Sequence, residues 1–141
     1  MISWKKVPFQ DELTEFKRVV VQFSDIISDR TKNLNELKNL YAKSHPMILK
    51  HSTWKILKNT DSFNIKTLND VSKAIIRNEA TRGSRQIDPI IKEFLNQSSR
   101  CPIILSHGDK DFTLIAGNTR LMIAKALEID PVKVIIMETD W

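Results

Sequence analysis

The strongest chemical signal in the sequence is a strand-to-helix junction at Gly117-Asn118-Thr119-Arg120. Residues 111–116 alternate as a strand that ends at Gly117, and residues 121–128 continue as an almost wholly apolar helix. The first N–H groups of a helix have no acceptor within it and lie at the positive end of its dipole, so the junction predicts an anion site. Asn118 or Thr119 is expected to cap the helix, and Arg120 can bind two phosphate oxygens. The alternative is a structural turn with an exposed arginine.

A second group of candidate anion contacts lies in the segment Arg82-Gly83-Ser84-Arg85. Two arginines flank a glycine, and glycine lets a backbone approach an oxygen closely. Arg82 and Arg85 are therefore candidates for contacts to a nucleotide or to nucleic acid. A solvated basic loop explains the same residues equally well.

The charge distribution also favours an anionic partner. The net charge is +5, but residues 1–86 hold 16 Lys+Arg against 9 Asp+Glu, whereas residues 87–141 hold 6 against 8. The excess is greatest in residues 30–85, with 12 basic and 4 acidic residues. This asymmetry predicts a nucleic-acid partner for the N-terminal half, and a lysine-rich solvated surface is the alternative.

The elements that must position these residues follow from apolar periodicity. A short strand is expected within residues 4–9, and the pattern then predicts helices over 11–27, 34–41, 67–78 and 87–95. Thr67 is expected to cap the third of these helices, and His45-Pro46 to end the second. A β-hairpin over 102–116 turns at Gly108, and a buried strand at 132–137 follows the apolar helix. We therefore expect a single α+β domain, residues 1–141, with a basic, mostly helical region at 1–85.

The C-terminal elements resemble a known superfamily. The strand Pro102-Ile103-Ile104-Leu105, the hairpin that follows it, the Gly117–Arg120 junction with its helix, and the strand Val132-Lys133-Val134-Ile135-Ile136 are similar to the ParB/sulfiredoxin superfamily. The resemblance covers residues of about 86–141. It implies a ParB/sulfiredoxin-like core, in which a small mixed sheet packs against helices.

The resemblance also implies a nucleotide at the junction. ParB proteins carry Gly-Glu-Arg-Arg there and bind CTP, sulfiredoxin carries Gly-Cys-His-Arg and binds ATP, and free serine kinases of the group carry Gly-His-His-Arg. This chain keeps Gly117 and Arg120 but has Asn118 and Thr119 between them. Without the cysteine it is not expected to act as a sulfiredoxin, and the missing glutamate argues against CTP hydrolysis of the ParB type.

The kinase branch of the superfamily places a glutamate upstream of the hairpin, and Glu79 lies at a similar distance in this chain. The resemblance therefore implies that Glu79 is a catalytic base, which accepts a proton from a substrate hydroxyl while ATP or another nucleoside triphosphate, together with magnesium, binds at residues 117–120. A helix-terminal glutamate facing solvent is the alternative. The hydroxyl that accepts the phosphate could belong to DNA or to a small molecule.

Other classes of function have little support in the sequence. The single Cys101 precludes an intramolecular disulfide or a cysteine-cluster zinc site and is expected to be buried. His45 and His51 are poorly spaced for a shared metal. Asp109 and Asp111 flank the hairpin turn and could hold a metal near phosphates, but aspartate is common in turns for backbone reasons, so no metal site is predicted. Neither a signal peptide nor a membrane span is evident, and we expect a cytoplasmic protein with no membrane partner.

Two classes of function therefore remain from the sequence. The first is a nucleotide-binding enzyme, a kinase that transfers phosphate from ATP to a hydroxyl. The second is a non-catalytic nucleic-acid-binding or adaptor module, which the uncharged Asn118 and Thr119 favour. A ParB-like nuclease ranks last, because no acidic metal-binding cluster is evident.

Overall fold

The chain folds into helices packed around small sheets, which confirms the predicted α+β class. The computed structural model describes residues 1–22, 30–82, 87–108 and 111–139, and for 30–32 and 78–82 it describes the backbone only. The strands are β1 (Ser3–Lys5), β2 (Pro46–Ile48), β3 (Ser98–Arg100), β4 (Ile103–His107), β5 (Asp111–Ala116) and β6 (Lys133–Glu138). The helices are α1 (Leu13–Gln22), α2 (Arg30–Lys43), α3 (His51–Ile56), α4 (Leu68–Arg82), α5 (Asp88–Leu95) and α6 (Asn118–Ala126).

The larger sheet has four strands in the order β2-β6-β4-β5. β4 and β5 are antiparallel neighbours, with Leu105 opposite Thr113, so the predicted hairpin is confirmed. β6 pairs in parallel with β4 and antiparallel with β2. The crossover from β5 to β6 is helix α6, which places the start of that helix at the end of an edge strand.

The central strands are buried on both faces. Ile103, Ile104 and Leu105 follow one another along β4 and are each at most 1% exposed, although successive side chains of a strand point to opposite faces. The same holds for Val134 and Ile135 of β6. The sheet is therefore covered by other elements on both sides, as the continuous apolar runs of the sequence predict.

A second, two-stranded sheet joins distant parts of the chain. β1 pairs in parallel with β3, and Trp4 lies opposite Ser99. The strand expected within residues 4–9 is therefore shorter than predicted, because a 3₁₀ helix begins at Phe9, directly after Pro8. The ammonium of Lys6 donates to the carbonyls of Tyr41 and Ser44 at 2.6 and 2.7 Å, which fixes the N-terminal segment to the end of α2.

The helices agree with the apolar periodicity, with local differences. α1 is described as far as Gln22, and the rest of its predicted span, residues 23–27, lies outside the described residues. α2 ends two residues before His45, as predicted. At the start of α4 the Asp70 N–H donates to Thr67 Oγ1 at 3.2 Å, and the Thr67 N–H donates to Asp70 Oδ2 at 3.1 Å. This reciprocal capping box confirms Thr67 as the cap.

Both halves of the chain contribute to one hydrophobic core. Trp4 packs edge-on against Phe94 of α5, with ring centroids 5.7 Å apart, and the buried residues of α1 join the same cluster as those of β4 and α6. The charge distribution changes near residue 86, but the hydrophobic core does not divide there. Among the described residues, no helix combines the length and the apolar character that crossing a bilayer requires.

Candidate functional site

The predicted anion site lies at a sharp turn between β5 and α6. Gly117 has φ of 99° and ψ of 21°, a left-handed conformation that favours glycine. α6 then begins at Asn118, and its first helical hydrogen bond runs from the Leu121 N–H to the Gly117 carbonyl at 2.9 Å. The turn therefore places the first turn of a helix directly at the end of an edge strand, as the sequence predicts.

A cavity of about 280 Å³ opens at this turn. One wall is the strand-to-helix junction, and the facing wall comes from α1 and the 3₁₀ helix before it. The lining residues are Glu12, Glu15, Arg18, Asn59, Ile90, Arg100, Cys101, Leu114, Ile115, Ala116, Gly117, Asn118, Thr119 and Arg120. The structure thus brings all four motif residues, 117 to 120, to one concave site.

Three arginines line the cavity, and each forms an ion pair. Arg120 donates from Nη2 to Glu93 Oε2 on α5 at 3.0 Å. Arg100 donates from Nη1 to Glu12 Oε1 at 2.6 Å, and the Glu12 side chain is only 13% exposed. The third pair is Arg18 with Glu15, at 2.8 Å and more exposed to solvent. Because Glu93 is not a lining residue, the cavity wall carries one more positive than negative side chain.

Arg120 has unused hydrogen-bonding capacity inside this site. Its side chain is 19% exposed, and its Nε is buried without a hydrogen-bond partner. Among the described residues the other buried side-chain atom of this kind is Ser99 Oγ. A buried, unpaired donor on a charged group is costly, so the Nε of Arg120 marks where an acceptor is missing.

Asn118 and Thr119 do not cap α6 as predicted. Gly117 takes the N-cap position, and no side chain makes a capping hydrogen bond there. The Asn118 side chain instead accepts a hydrogen bond through Oδ1 from Thr60 Oγ1 at 2.5 Å. The prediction of a side-chain cap is wrong because the cap position falls on Gly117, which has no side chain.

Cys101 lies in the cavity wall and is 5% exposed. Burial raises the pKa of its thiol from the ordinary 9.0 to about 11, and Lys133 opposes this only in part. The thiol therefore stays protonated near neutral pH and is a poor nucleophile. The expected burial of this cysteine is confirmed.

The other predicted site residues are only partly within the described structure. Glu79 lies on α4, which packs against α6, but its side chain is outside the described residues. The side chain of Arg82 and the whole of Arg85 are also outside them, so these three assignments stay predictions. Asp109 is outside as well, while Asp111 pairs with Lys58 at 3.2 Å. In the described parts of the chain, no three His, Cys, Asp or Glu side chains form a group that could hold a metal ion.

Sequence reasoning missed the facing wall of the cavity. Asp11 and Glu12 lie in the 3₁₀ helix that precedes α1, and Glu12 also pairs with Arg100. The two residues are 88 positions apart, and no local pattern links them. The three cationic residues of the described chain that line the cavity are all arginines, and arginine suits paired contacts to carboxylates and phosphates better than lysine does. This preference becomes visible only after the lining residues of the cavity are known.

Comparison with known proteins gives no relative: the chain matches no protein-family model, no curated protein and no solved structure. The resemblance of residues 86–141 to the ParB/sulfiredoxin superfamily therefore stays a prediction from their sequence.

Proposed function

We propose that the cavity at the Gly117 turn binds the phosphate groups of a nucleoside triphosphate such as ATP. The observation that carries the proposal is the position of Arg120, whose buried Nε lacks an acceptor beside the first turn of α6. Helix-start N–H groups and a guanidinium together are a common environment for phosphate. The hairpin, the left-handed glycine and the parallel β6 also support a ParB/sulfiredoxin-like core.

The ion pairs of the cavity suit a reversible anion site. Glu93 holds Arg120 through Nη2, so the guanidinium is already oriented before a ligand arrives. A phosphate oxygen could accept from Nη1, which makes no hydrogen bond to the described residues, without breaking that pair. Arg100 and Arg18 face the same space, and their pairing with Glu12 and Glu15 keeps the site from carrying a large uncompensated charge when no anion is bound.

The size of the cavity limits how a nucleotide fits. Its volume of about 280 Å³ lies just below the roughly 300–1,000 Å³ that is usual for small-molecule sites. The phosphate chain would therefore occupy the enclosed part, and the nucleoside would extend towards the opening. We expect base preference to be weak compared with the requirement for phosphates.

The proposed reaction is phosphoryl transfer from ATP to a hydroxyl, with Glu79 as base. The hydroxyl oxygen would form a bond to the γ-phosphorus, the bond to ADP would break, and the hydroxyl proton would pass to the Glu79 carboxylate. Magnesium would enter with the nucleotide, because this ion is commonly held by substrate phosphates and only one or two carboxylates. The packing of α4 against α6 supports the assignment by bringing the helix of Glu79 next to the helix of the motif.

Thermal melting and calorimetric titration test the binding proposal. ATP, ADP and CTP, each with magnesium, should raise the melting temperature, since a ligand at a hundred times its Kd stabilises by about 2.7 kcal/mol. Arg120→Ala should abolish the shift. Arg77→Ala is the matched control, because Arg77 also pairs with a carboxylate, Asp61 at 3.4 Å, but is exposed and does not line the cavity. Unchanged melting of the wild type with every nucleotide would reject the proposal.

The transfer step has its own test. With bound ATP and candidate hydroxyl acceptors, including DNA, ADP formation should require Glu79, and Glu79→Gln should lose turnover while keeping nucleotide affinity. Equal nucleotide affinity with no turnover in either protein would instead select a binding module.

The second candidate function, nucleic-acid binding, is favoured by one observation on the N-terminal half. Residues 43–60 contain four lysines and no Asp or Glu, and Lys43, Lys50, Lys55 and Lys58 are all exposed. Lys58 pairs with Asp111, which leaves the positive charge concentrated on the end of α2 and on α3. Such a surface suits a phosphate backbone more than a base-specific contact.

Fluorescence anisotropy with a labelled DNA duplex and the matching single strand tests this candidate. Replacing Lys50 and Lys55 by glutamate should weaken binding and reduce the salt dependence, each lost phosphate contact lowering the log–log slope by about 0.7–0.9. The control replaces Lys17 and Lys73, which are exposed on α1 and α4, and makes the same change in net charge. Equal loss in both double variants would show a general charge effect and not a binding surface.

A further inference from the structure

Asn118 is the first residue of α6, and its side chain is held in one orientation. The residue is only 9% exposed and lines the cavity. Because Oδ1 accepts the hydrogen bond from Thr60, the other end of the amide, Nδ2, is the group left to face other partners. Nδ2 makes no hydrogen bond to any residue of the described chain.

A chain of hydrogen bonds determines which end of the Asn118 amide faces Thr60. The indole Nε1 of Trp54 donates to Ser62 Oγ at 2.7 Å, and Ser62 Oγ lies 2.8 Å from Thr60 Oγ1. An indole nitrogen can only donate, so the Ser62 hydroxyl accepts there and has its own proton available for Thr60. The Thr60 proton is then available for Asn118 Oδ1. Ser62 is fully buried and Trp54 is 4% exposed, so packing fixes the far end of the chain.

Two donors without an acceptor in the described structure lie at the start of α6. Asn118 Nδ2 and Arg120 Nε both lack acceptors among the described residues, and they lie two positions apart at the start of α6. An unprotonated ligand oxygen can accept from Asn118 Nδ2, whereas an N–H or O–H pointed at Nδ2 would leave that donor unpaired.

We propose that Thr60 is a positioning residue that turns the Asn118 amide so that Nδ2 donates to an unprotonated phosphate oxygen of the ligand. The inference rests on the proposed function and deepens it, because it assigns the chemistry of the recognised group: an ionised phosphate oxygen that carries no proton. Asn118 is thereby a specificity-determining residue.

Isothermal titration of the full chain with magnesium-ATP tests the pair, with inorganic phosphate as a competitor. Asn118→Ala removes the donor and should weaken ATP binding about tenfold, the usual effect of losing one hydrogen bond to a charged group. Thr60→Val, which keeps the shape but cannot donate, should weaken it by a similar or smaller factor. Thr60→Ser restores the hydroxyl and should restore affinity. Circular dichroism confirms that each variant is folded.

The double variant separates positioning from a general structural effect. If Thr60 acts through Asn118, Thr60→Val should cause no further loss of affinity in the Asn118→Ala background. Additive losses would overturn the inference, and so would ATP affinity that Asn118→Ala leaves unchanged while Arg120→Ala abolishes it. In both of those cases the nucleotide site itself stands. Absence of ATP and phosphate binding in the wild type would instead reject the proposed function and this inference with it.

Discussion

Gly117 packs directly against Pro102: a Cβ placed on Gly117 would lie 2.8 Å from Pro102 Cβ and 2.9 Å from its Cα. The close approach involves backbone atoms, which cannot move aside as the end of a flexible side chain can. Two independent reasons therefore require glycine at this position, the left-handed φ of 99° and the missing space. The strand β4 begins one residue after Pro102, so the turn is held against the centre of the sheet.

Gly117→Ala should lower the free energy of unfolding by about 2–3 kcal/mol, from backbone strain and overlap together. The measurement is chemical denaturation followed by circular dichroism. Gly108→Ala is the matched control, because Gly108 also has a positive φ, 56°, and its replacement should cost only about 1–2 kcal/mol from strain. An equal effect at the two glycines would contradict the role of Pro102.

Glu12→Gln should destabilise the protein more than Glu15→Gln. The Glu12–Arg100 pair is largely shielded on the Glu12 side, so its loss should cost about 1–2 kcal/mol, between the values for exposed and for buried pairs. Glu15 and Arg18 are 30% and 52% exposed, and the loss there should stay below about 0.5 kcal/mol. Denaturant titration of both variants at low and high salt checks this order, and reversal of the order would show that the wall pair is not a structural contact.

His107 should make stability depend on pH below neutrality. Burial lowers the pKa of His107 below its ordinary 6.5, although Asp111 partly opposes the shift, and its Nε2 lies 2.8 Å from Thr113 Oγ1. The unfolded chain then binds a proton more readily, so the free energy of unfolding should fall as pH drops through 6.5 towards the folded pKa. His107→Gln should flatten this part of the profile, and an NMR titration of the imidazole gives the pKa directly. A pKa above 6.5 would refute the assignment.

Cys101 should react slowly with thiol reagents in the native protein. Burial keeps it protonated, since its pKa is about 11, and restricts access to the sulfur. At pH 8 its labelling by a disulfide reagent should be at least about a hundredfold slower than in denaturant, where the ordinary thiol is restored. Fast native labelling would mean that the cavity opens enough to expose its wall.

Local patterns predict the C-terminal elements well. The hairpin, the strand β6 and the helix α6 all have enough apolar residues in sequence to define their period, and all three are present. The burial of Leu121, Met122, Ile123 and Ala124, each 0% exposed, follows from the same run. The position of the turn at Gly117 was equally predictable, because a glycine separates a period of two from a helical pattern.

The missed elements share a physical cause. β2 and β3 are three residues long, and β3 consists of Ser98, Ser99 and Arg100, without an apolar alternation to detect. Its partner β1 lies some 95 residues earlier, so only tertiary packing makes either segment a strand. The same reason hid the Thr60 bond to Asn118, because the two residues are 58 positions apart in the chain.

The pair Glu12–Arg100 joins two residues that are 88 positions apart in the chain at one cavity. A fragment beginning near residue 86 would keep the Gly117–Arg120 turn, yet it would lack Glu12, Glu15, Arg18 and Thr60. Transferring residues 117–120 alone to another protein would therefore not transfer the site. The transferred segment would carry Arg120 and the start of a helix, but not the residues of the N-terminal half that enclose them. A ligand in the cavity contacts α1 as well as the turn and should stabilise both. Slower amide hydrogen exchange in α1 would therefore reveal ligand binding through a helix that lies outside residues 117–120.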